Sequence, residues 1–320
     1  MRLVFLGTPS LAVPSLRALA AGPHELVGVV SQPDRPRGRG RQLEPTPVRA
    51  AATELGVPVI SPEKVGADDV LAWLRDLAPD LGVVVAFGQF IPRSVRDLPR
   101  LGMINAHASL LPRHRGAAPI QAAVLEGDAE TGVSVMRVVR EMDAGAFCHQ
   151  VVTPVDPDET AGELAERMGE LAARALVEGI AMIDAGCAEW TEQDADAVTF
   201  APKLDRSFGR LDWTAARAPL LRRLRAASPW PGCDIELAAA GRSLRIVRAR
   251  STPDADLPEG APGQILARDG HLYVRAADGW VEVTQVQAPG KRAVASADFL
   301  RGARIADDER VVLHPVPERG

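Results

Sequence analysis

Asn105 and His107 stand two residues apart where the apolar run Gly102-Met103-Ile104 ends, and Ser109-Leu110-Leu111-Pro112 follows at once. On an extended chain that spacing points both side chains to one face. An amide and an imidazole on one face at a strand exit suit carbonyl chemistry. The amide can donate to a developing oxyanion, and the imidazole can donate or shuttle a proton. Asp143, within Met142-Asp143-Ala144-Gly145, is the third candidate. A carboxylate there would orient the imidazole and balance its charge. Each has a plainer reading: Asn-x-His alone is ordinary loop chemistry, and Asp before Ala-Gly is a common turn former. Their co-occurrence with Ser109–Pro112 and Gly145 raises them above it. His114 reads as a solvent-facing loop residue and is assigned no catalysis.

The elements that must position these residues follow from apolar patterning. Leu3–Leu6, Leu26–Val30, Val57–Ile60, Leu81–Ala86 and Met103–Ala106 read as buried strands, with helices between them near 13–20, 48–55 and 68–77. This alternation predicts an α/β fold with a doubly wound, mostly parallel sheet. Ligands in such sheets sit beyond the carboxyl ends of the strands, where Asn105 and His107 fall. Gly7-Thr8-Pro9 follows the first strand but is not G-x-G-x-x-G, which disfavours a nicotinamide cofactor. Val133–Val138 and Ala146–Val152 read as strands flanking the Asp143 loop. Thr160 and Glu163 form a capping box. Leu164, Met168, Leu171, Ala175, Leu176, Ile180 and Ile183 then give a core-facing helical stripe.

Residues 190–206 are polar and irregular and read as a linker. Leu211–Arg225 reads as helix. Short strands at Asp234–Leu237, Leu244–Ala249, Gly263–Ala267, Leu272–Arg275 and Val281–Val286 suggest a small barrel or sandwich. The expected division is therefore a domain over 1–189, a linker over 190–206 and a second domain over 207–320.

Composition narrows the class further. The chain has 320 residues, enough for two cores, and 46% hydrophobic content, ordinary for a globular protein. No apolar run approaches the ~20 residues of a membrane span, and the apolar start is too short for a signal peptide. A cytoplasmic location without membrane attachment is expected. Cys148, Cys187 and Cys233 make no C-x-x-C pair, and the six His make no H-x-x-x-H pair, so neither a disulfide framework nor a metal is expected. The net charge of −5 is unevenly distributed: residues 1–200 are net acidic and 201–320 net basic. A basic C-terminal part suits an anionic partner. Between Asp34 and Gln42, Arg35, Arg37, Arg39 and Arg41 stand among Pro and Gly with no apolar anchor before Leu43, and read as a mobile, solvated basic loop.

Asn105-x-His107-x-Ser109-Leu110-Leu111-Pro112 with the later Asp143-x-Gly145 resembles the folate-dependent formyltransferases. Gly7-Thr8-Pro9, Gln32–Pro36, Arg115–Gln121, Gly127–Gly132, Leu211-Asp212-Trp213, Pro229–Gly232 and Ala288–Lys291 extend the resemblance over nearly the whole chain. The resemblance implies a Rossmann-like catalytic domain and a C-terminal OB-like β-barrel that binds tRNA. It implies transfer of formyl from 10-formyltetrahydrofolate to the α-amino group of methionine on initiator tRNA, with no obligate protein partner. Asn105, His107 and Asp143 are then catalytic. Phe87, Gly88, Ser109, Leu110, Leu111 and Pro112 line the folate site, where leucine and proline offer an apolar wall and Gly88 permits close backbone approach. Arg35, Arg37, Arg39 and Arg41 form the loop that enters the acceptor arm, with Arg39 at the position of greatest effect, and Lys203 and Arg206 add linker contacts. Three departures stand out: Phe87 where the family usually has Tyr, Leu11 for a customary Phe, and Pro202 and Arg206 where acidic and Lys residues are usual. Competing readings are a formyltransferase for a nucleotide-sugar or ribonucleotide amine, a 10-formyltetrahydrofolate hydrolase, and a noncatalytic tRNA-binding protein. The Arg/Gly loop and basic C-terminal part count against the first, and the second would not need residues 206–320 as a nucleic-acid module. The intact Asn105, His107 and Asp143 count against the last.

Overall fold

Runs of apolar residues build the first sheet, and its central strands are buried on both faces. In the computed structural model, which describes residues 1–37, 42–303, 305–306 and 308–313, these strands are β1 (Arg2–Gly7), β2 (Glu25–Val30), β5 (Val59–Ile60), β6 (Leu81–Val85), β7 (Met103–His107), β9 (Glu130–Arg137) and β10 (Phe147–Pro154). Short strands β3 (Arg35–Arg37) and β4 (Gln42–Glu44) form a separate ribbon, and β8 (Arg115–Gly116) pairs with β11 (Phe200–Ala201). The sheet order is β10-β9-β7-β6-β1-β2-β5. The five strands from β5 to β7 run parallel, and β9 and β10 are antiparallel additions at one edge. The sheet is thus mixed, with the parallel majority that the β–α alternation predicts.

Helices α1 (Val13–Ala20), α2 (Pro47–Glu54), α3 (Asp68–Leu77) and the short α4 (Arg93–Arg96) connect the parallel strands. The first three fall within a residue of the patterned segments. Thr46 caps α2 by accepting from the Arg49 amide, and Asp68 and Asp69 place acidic charge in the first turn of α3. Helix α5 (Pro119–Glu126) precedes β9. The long helix α6 (Ala161–Asp184) opens on the predicted capping box: the Thr160 amide donates to Glu163 Oε2 at 2.9 Å and the Glu163 amide to Thr160 Oγ1 at 3.3 Å. Its stripe residues Leu164, Met168, Leu176 and Ile180 are fully buried.

The chain divides into two units. The first comprises Met1–Pro119, Glu130–Pro154 and Leu164–Ala201; the second comprises Ile120–Ala129, Val155–Glu163 and Pro202–Gly320. Residues 190–201, read from sequence as irregular, thus belong to the first unit. They hold a 3-10 turn at Ala195–Ala197 and strand β11. In the second unit, helix α7 (Arg217–Ala226) packs Leu220, Leu221 and Leu224 against strands β12 (Cys233–Leu237), β13 (Arg242–Ser251), β14 (Ile265–Arg268), β15 (His271–Ala276) and β16 (Gly279–Gln287). The order is β12-β13-β16-β15-β14, all antiparallel, with β17 (Val294–Ala295) on β16 and helix α8 (Ser296–Gly302) after it. Past α8, Val311 bridges Leu237 of β12, and Arg310 bridges Gln264 beside β14.

Two local expectations are corrected. The helix begins at Arg217, not Leu211. The Asp212 carboxylate accepts from the Thr214 amide at 2.9 Å and so holds a turn, while Ala216 takes the extended N-cap conformation. The Asp34–Gln42 loop is not wholly irregular, because Arg35 and Arg37 pair with Glu44 and Gln42 along the β3–β4 ribbon. Among the described residues, no helix is long and apolar enough to cross a membrane.

Candidate active site

Strand β7 carries the Asn-x-His pair to the carboxyl edge of the parallel strands. Asn105 lies opposite Met136 and His107 opposite Ser134 on β9, so the antiparallel neighbour fixes both on one pleat face. His107 is 5% exposed, yet both ring nitrogens face acceptors. Nε2 donates to the His114 carbonyl at 2.9 Å, and Nδ1 lies 3.6 Å from Asp143 Oδ2. A carbonyl can only accept, so Nε2 carries its proton in this arrangement. Asp143 Oδ2 also accepts from the Gly116 amide at 2.8 Å. Asn105 is half-buried, and no hydrogen bond to another described residue engages its carboxamide. The site therefore pairs a fixed imidazole and carboxylate with an open amide donor.

The backbone around this group is unusual. His114 has φ +58° and Asp143 has φ +53°, both in the left-handed region that non-glycine residues rarely adopt. Gly116 has φ +124°, and a Cβ there would come within 2.6 Å of the Ala201 carbonyl oxygen. Such conformations persist where surrounding contacts over-determine them, and they cluster at functional sites.

The loop after β7 is held from beneath. Ser109 is fully buried and donates to the Arg113 carbonyl at 2.6 Å. Ser134 Oγ donates to the Ser109 carbonyl at 2.7 Å and accepts from the Leu111 amide at 3.0 Å. Gln150 Nε2 donates to the Leu111 carbonyl at 3.1 Å and to Ser134 Oγ at 2.8 Å. Leu111 is buried, while Leu110 and Pro112 are half-exposed. A Cβ on Gly132 would meet Leu110 Cδ2 at 2.6 Å, so the Leu110 side chain rests on β9.

The next strand end along the sheet is knitted in the same way. Thr8 Oγ1 and Gln32 Nε2 both donate to the Phe87 carbonyl, at 2.8 and 3.0 Å. The Phe87 side chain is 2% exposed and packs in the core cluster with Val4, Leu6, Val30 and Val84. Its ring thus sits in the core, and its carbonyl is taken up by Thr8 and Gln32. Gly88 has φ +81°, and a Cβ on it would collide with Gln32 Nε2 at 2.4 Å. Of the basic candidates, Arg35 is exposed on β3 and Arg37 closes that strand. Arg39 and Arg41 lie outside the described residues. Lys203 and Arg206 are exposed in the second unit.

His114 corrects the sequence reading: it is 4% exposed, not solvent-facing, and its carbonyl anchors the imidazole. The sequence reading also missed Ser134, Gln150, Gln193 and Thr199. Ser134 carried a signal, a small polar residue between Val133 and Val135 in a buried strand. The other three carried none, because their partners are far along the chain. Several basic residues of the second unit are already engaged. Arg245 pairs with both carboxylate oxygens of Asp234, Arg248 with Glu163, and Arg222 donates to the Leu125 carbonyl. Lys291 and Arg292 are exposed.

The "Formyl transferase" family matches residues 1–180, and "Formyl transferase, C-terminal domain" matches residues 203–304. A methionyl-tRNA formyltransferase of Pseudomonas paraeruginosa (strain DSM 24068 / PA7) is 45% identical over 306 residues, covering 95% of this chain and 96% of the relative. One from Frankia alni is 43% identical over 323 residues, covering 100% and 96%. Among solved structures, the sugar 3N-formyl transferase WlaRD superposes with a TM-score of 0.65 at 15% identity, over 91% of this chain and 99% of that one. HypX from Aquifex aeolicus in complex with tetrahydrofolic acid gives 0.61 at 19% identity, over 94% and 47%. The two solved structures share the fold, and the two relatives match at 43–45% identity over 95% or more of the chain: this chain belongs to the formyl transferase family.

Proposed function

We infer that this protein transfers the formyl group of 10-formyltetrahydrofolate to the α-amino group of methionine on charged initiator tRNA. The observation that carries the chemistry is the open Asn105 carboxamide beside the buried His107 and its half-buried partner Asp143 at the sheet's carboxyl edge. The acceptor follows from the relatives that match the chain along almost its whole length.

The residues present fit the folate. An unengaged amide and the half-exposed Leu110 and Pro112 that follow it in the loop after β7 offer a polar point and apolar surface, as a small-molecule site requires. The bound folate supplies a formyl carbonyl whose carbon is attacked and whose nitrogen departs. Asn105 Nδ2 donates to the formyl oxygen as it gains negative charge, and the donor is in place before charge develops. Asp143 faces the attacking amine and accepts the proton that nitrogen loses on acylation, directly or through one water. His107 is committed through Nε2 to the His114 carbonyl, so its Nδ1 edge is the part turned to substrate and carboxylate. The proton that Asp143 takes from the amine passes to His107 Nδ1 and from there to the departing nitrogen, so the ring is protonated on its substrate-facing edge while the oxyanion exists.

The second unit would hold the tRNA. Its antiparallel sheet, with Val311 bridged to edge strand β12 and Arg310 to Gln264 just before β14, supports the OB-like barrel that the resemblance implies. Arg35, Arg37, Arg39, Arg41, Lys203 and Arg206 would supply phosphate and acceptor-end contacts. We place the catalytic unit's end at Ala201 and the tRNA-binding part after it. The reading places the protein in the cytoplasm, where charged tRNA and folate occur, and calls for no protein partner. The test is formyl transfer from 10-formyltetrahydrofolate to charged initiator tRNA, with free methionine and water as comparison acceptors. Transfer to the tRNA far above both supports the reading. Preferential transfer to water or to a nucleotide-linked amine overturns it.

A further inference from the structure

We propose that Gln193 is a positioning residue for Asp143, one arm of a strap that fixes both acceptors flanking His107. The proposal rests on the catalytic reading above. Gln193 Nε2 donates to two carbonyls of the aspartate turn, Asp143 and Gly145, each at 2.8 Å. Its Oε1 accepts from Arg115 Nε at 2.9 Å, and the neighbouring Gly116 amide is the one that holds the Asp143 carboxylate. One side chain thus ties the backbone of the turn to the strand that grips the carboxylate. This matters at a residue with φ +53°, because the left-handed conformation carries a cost for any residue with a Cβ and surrounding contacts must hold it.

The same segment serves the other side of the imidazole. Thr199 Oγ1 accepts from the His114 amide at 2.8 Å, and the Thr199 carbonyl accepts from the Arg115 amide at 2.9 Å. His114 in turn presents the carbonyl that takes the His107 Nε2 proton. Upstream, Thr191 exchanges both backbone hydrogen bonds with Phe147, at 2.9 and 3.0 Å. Residues 191–201 are thereby pinned at their start by Thr191 and at their end by β11. Gln193 and Thr199 then fix the carboxylate and the carbonyl between which His107 sits. Gln193 hydrogen-bonds the backbone of Asp143, not its carboxylate, and acts through that backbone.

The test compares Gln193→Met, which keeps length and loses all three hydrogen bonds, with Asp143→Asn and the double variant. Single-turnover transfer to charged initiator tRNA is measured at saturating donor and acceptor. Rates are expressed per site able to bind 5-formyltetrahydrofolate, used as a non-transferring probe. Gln193→Met should slow transfer on the order of 10- to 100-fold with the tRNA KM little changed, as expected for misplacing a reacting group. In the Asp143→Asn background the same substitution should cost less than about 3-fold, because it acts through a group already disabled. Equal losses in both backgrounds overturn the proposal, as does a rate per folate-binding site equal to wild type. Gln193→Glu is the second variant. It keeps the acceptor for Arg115, turns both donations into repulsion, and should show the same non-additivity. A readout independent of transfer is the His107 ring nitrogen NMR shift. It should move in Gln193→Met toward its value in Asp143→Asn, and an unmoved signal overturns the proposal. If the wild-type chain transfers no formyl to tRNA, the functional reading fails, and the NMR comparison still decides the role of Gln193.

Discussion

Asn105→Ala separates catalysis from stability more cleanly than any other change at this site. The Asn105 carboxamide is half-buried and makes no hydrogen bond among the described residues, so its removal leaves no protein donor or acceptor orphaned. The lost volume is a half-exposed amide at a strand end, not a packed core group. The stability cost should stay within about 1 kcal/mol, the typical range for changes away from buried networks. The effect on chemistry should be far larger. Loss of one oxyanion donor typically costs about 3–4 kcal/mol of barrier, a factor of roughly 10²–10³ in rate. Asn105→Asp sharpens the comparison: it keeps the shape, removes the donor and adds negative charge on the face shared with His107. It should be slower still than Ala. The assay is single-turnover formyl transfer with both substrates saturating, alongside thermal unfolding and equilibrium tRNA binding. An Asn105→Ala variant within about 5-fold of wild type in rate would refute the assignment. So would a melting temperature so depressed that lost folding explains the lost rate.

Arg39→Ala should lower formylation of charged initiator tRNA more than it lowers binding of bulk tRNA, since the loop is read as reaching the acceptor end; salt-dependent binding measured beside transfer kinetics checks this. If Arg39→Ala weakens all tRNAs equally and spares the saturated rate, the loop is only a phosphate clamp. Gly116→Ala should destabilise by about 1–3 kcal/mol from backbone strain, because φ is +124° and a Cβ would strike the Ala201 carbonyl; urea unfolding measures it. Glu163→Ala should cost about 1 kcal/mol at pH 7 through loss of the capping box. The Thr160 amide, with the Thr160 hydroxyl and Arg248, holds the Glu163 carboxyl below the ordinary value of 4.5, so its contribution is present above that pH and is lost as the pH falls through the lowered value. Unfolding curves of the variant and wild type should therefore converge in acid, and a constant gap would contradict the linkage.

Local elements were legible because their periods are set by backbone geometry. The patterned segments 13–20 and 68–77 are helices α1 and α3 to the residue, since one apolar stripe per 3.6 residues can be buried only by a helix. The run Leu211–Arg225 is helical only from Arg217, because a single side chain, Asp212, holds a turn at its start by offering the backbone another partner. The second unit's basic charge was visible as composition. Its availability was not, because whether Arg245 faces solvent or Asp234 depends on strand register.

Sequence was enough to put Asn105 and His107 on one face, because a spacing of two on a strand admits no other arrangement. It determined the place of that pair at a carboxyl strand end, and the capping of α6, for similarly local reasons. Tertiary structure alone decided what surrounds them. His114 is buried because the chain doubles back through Gly116 and lays its carbonyl on the imidazole. Gln193 reaches Asp143 across 50 residues, and Thr199 reaches His114 across 85. Contacts of that separation leave no periodic trace, because they are fixed by which loops meet when the sheet closes its core. The side chains that could do chemistry were therefore readable in order along the chain. The strap that holds them in working geometry existed only once the chain had folded.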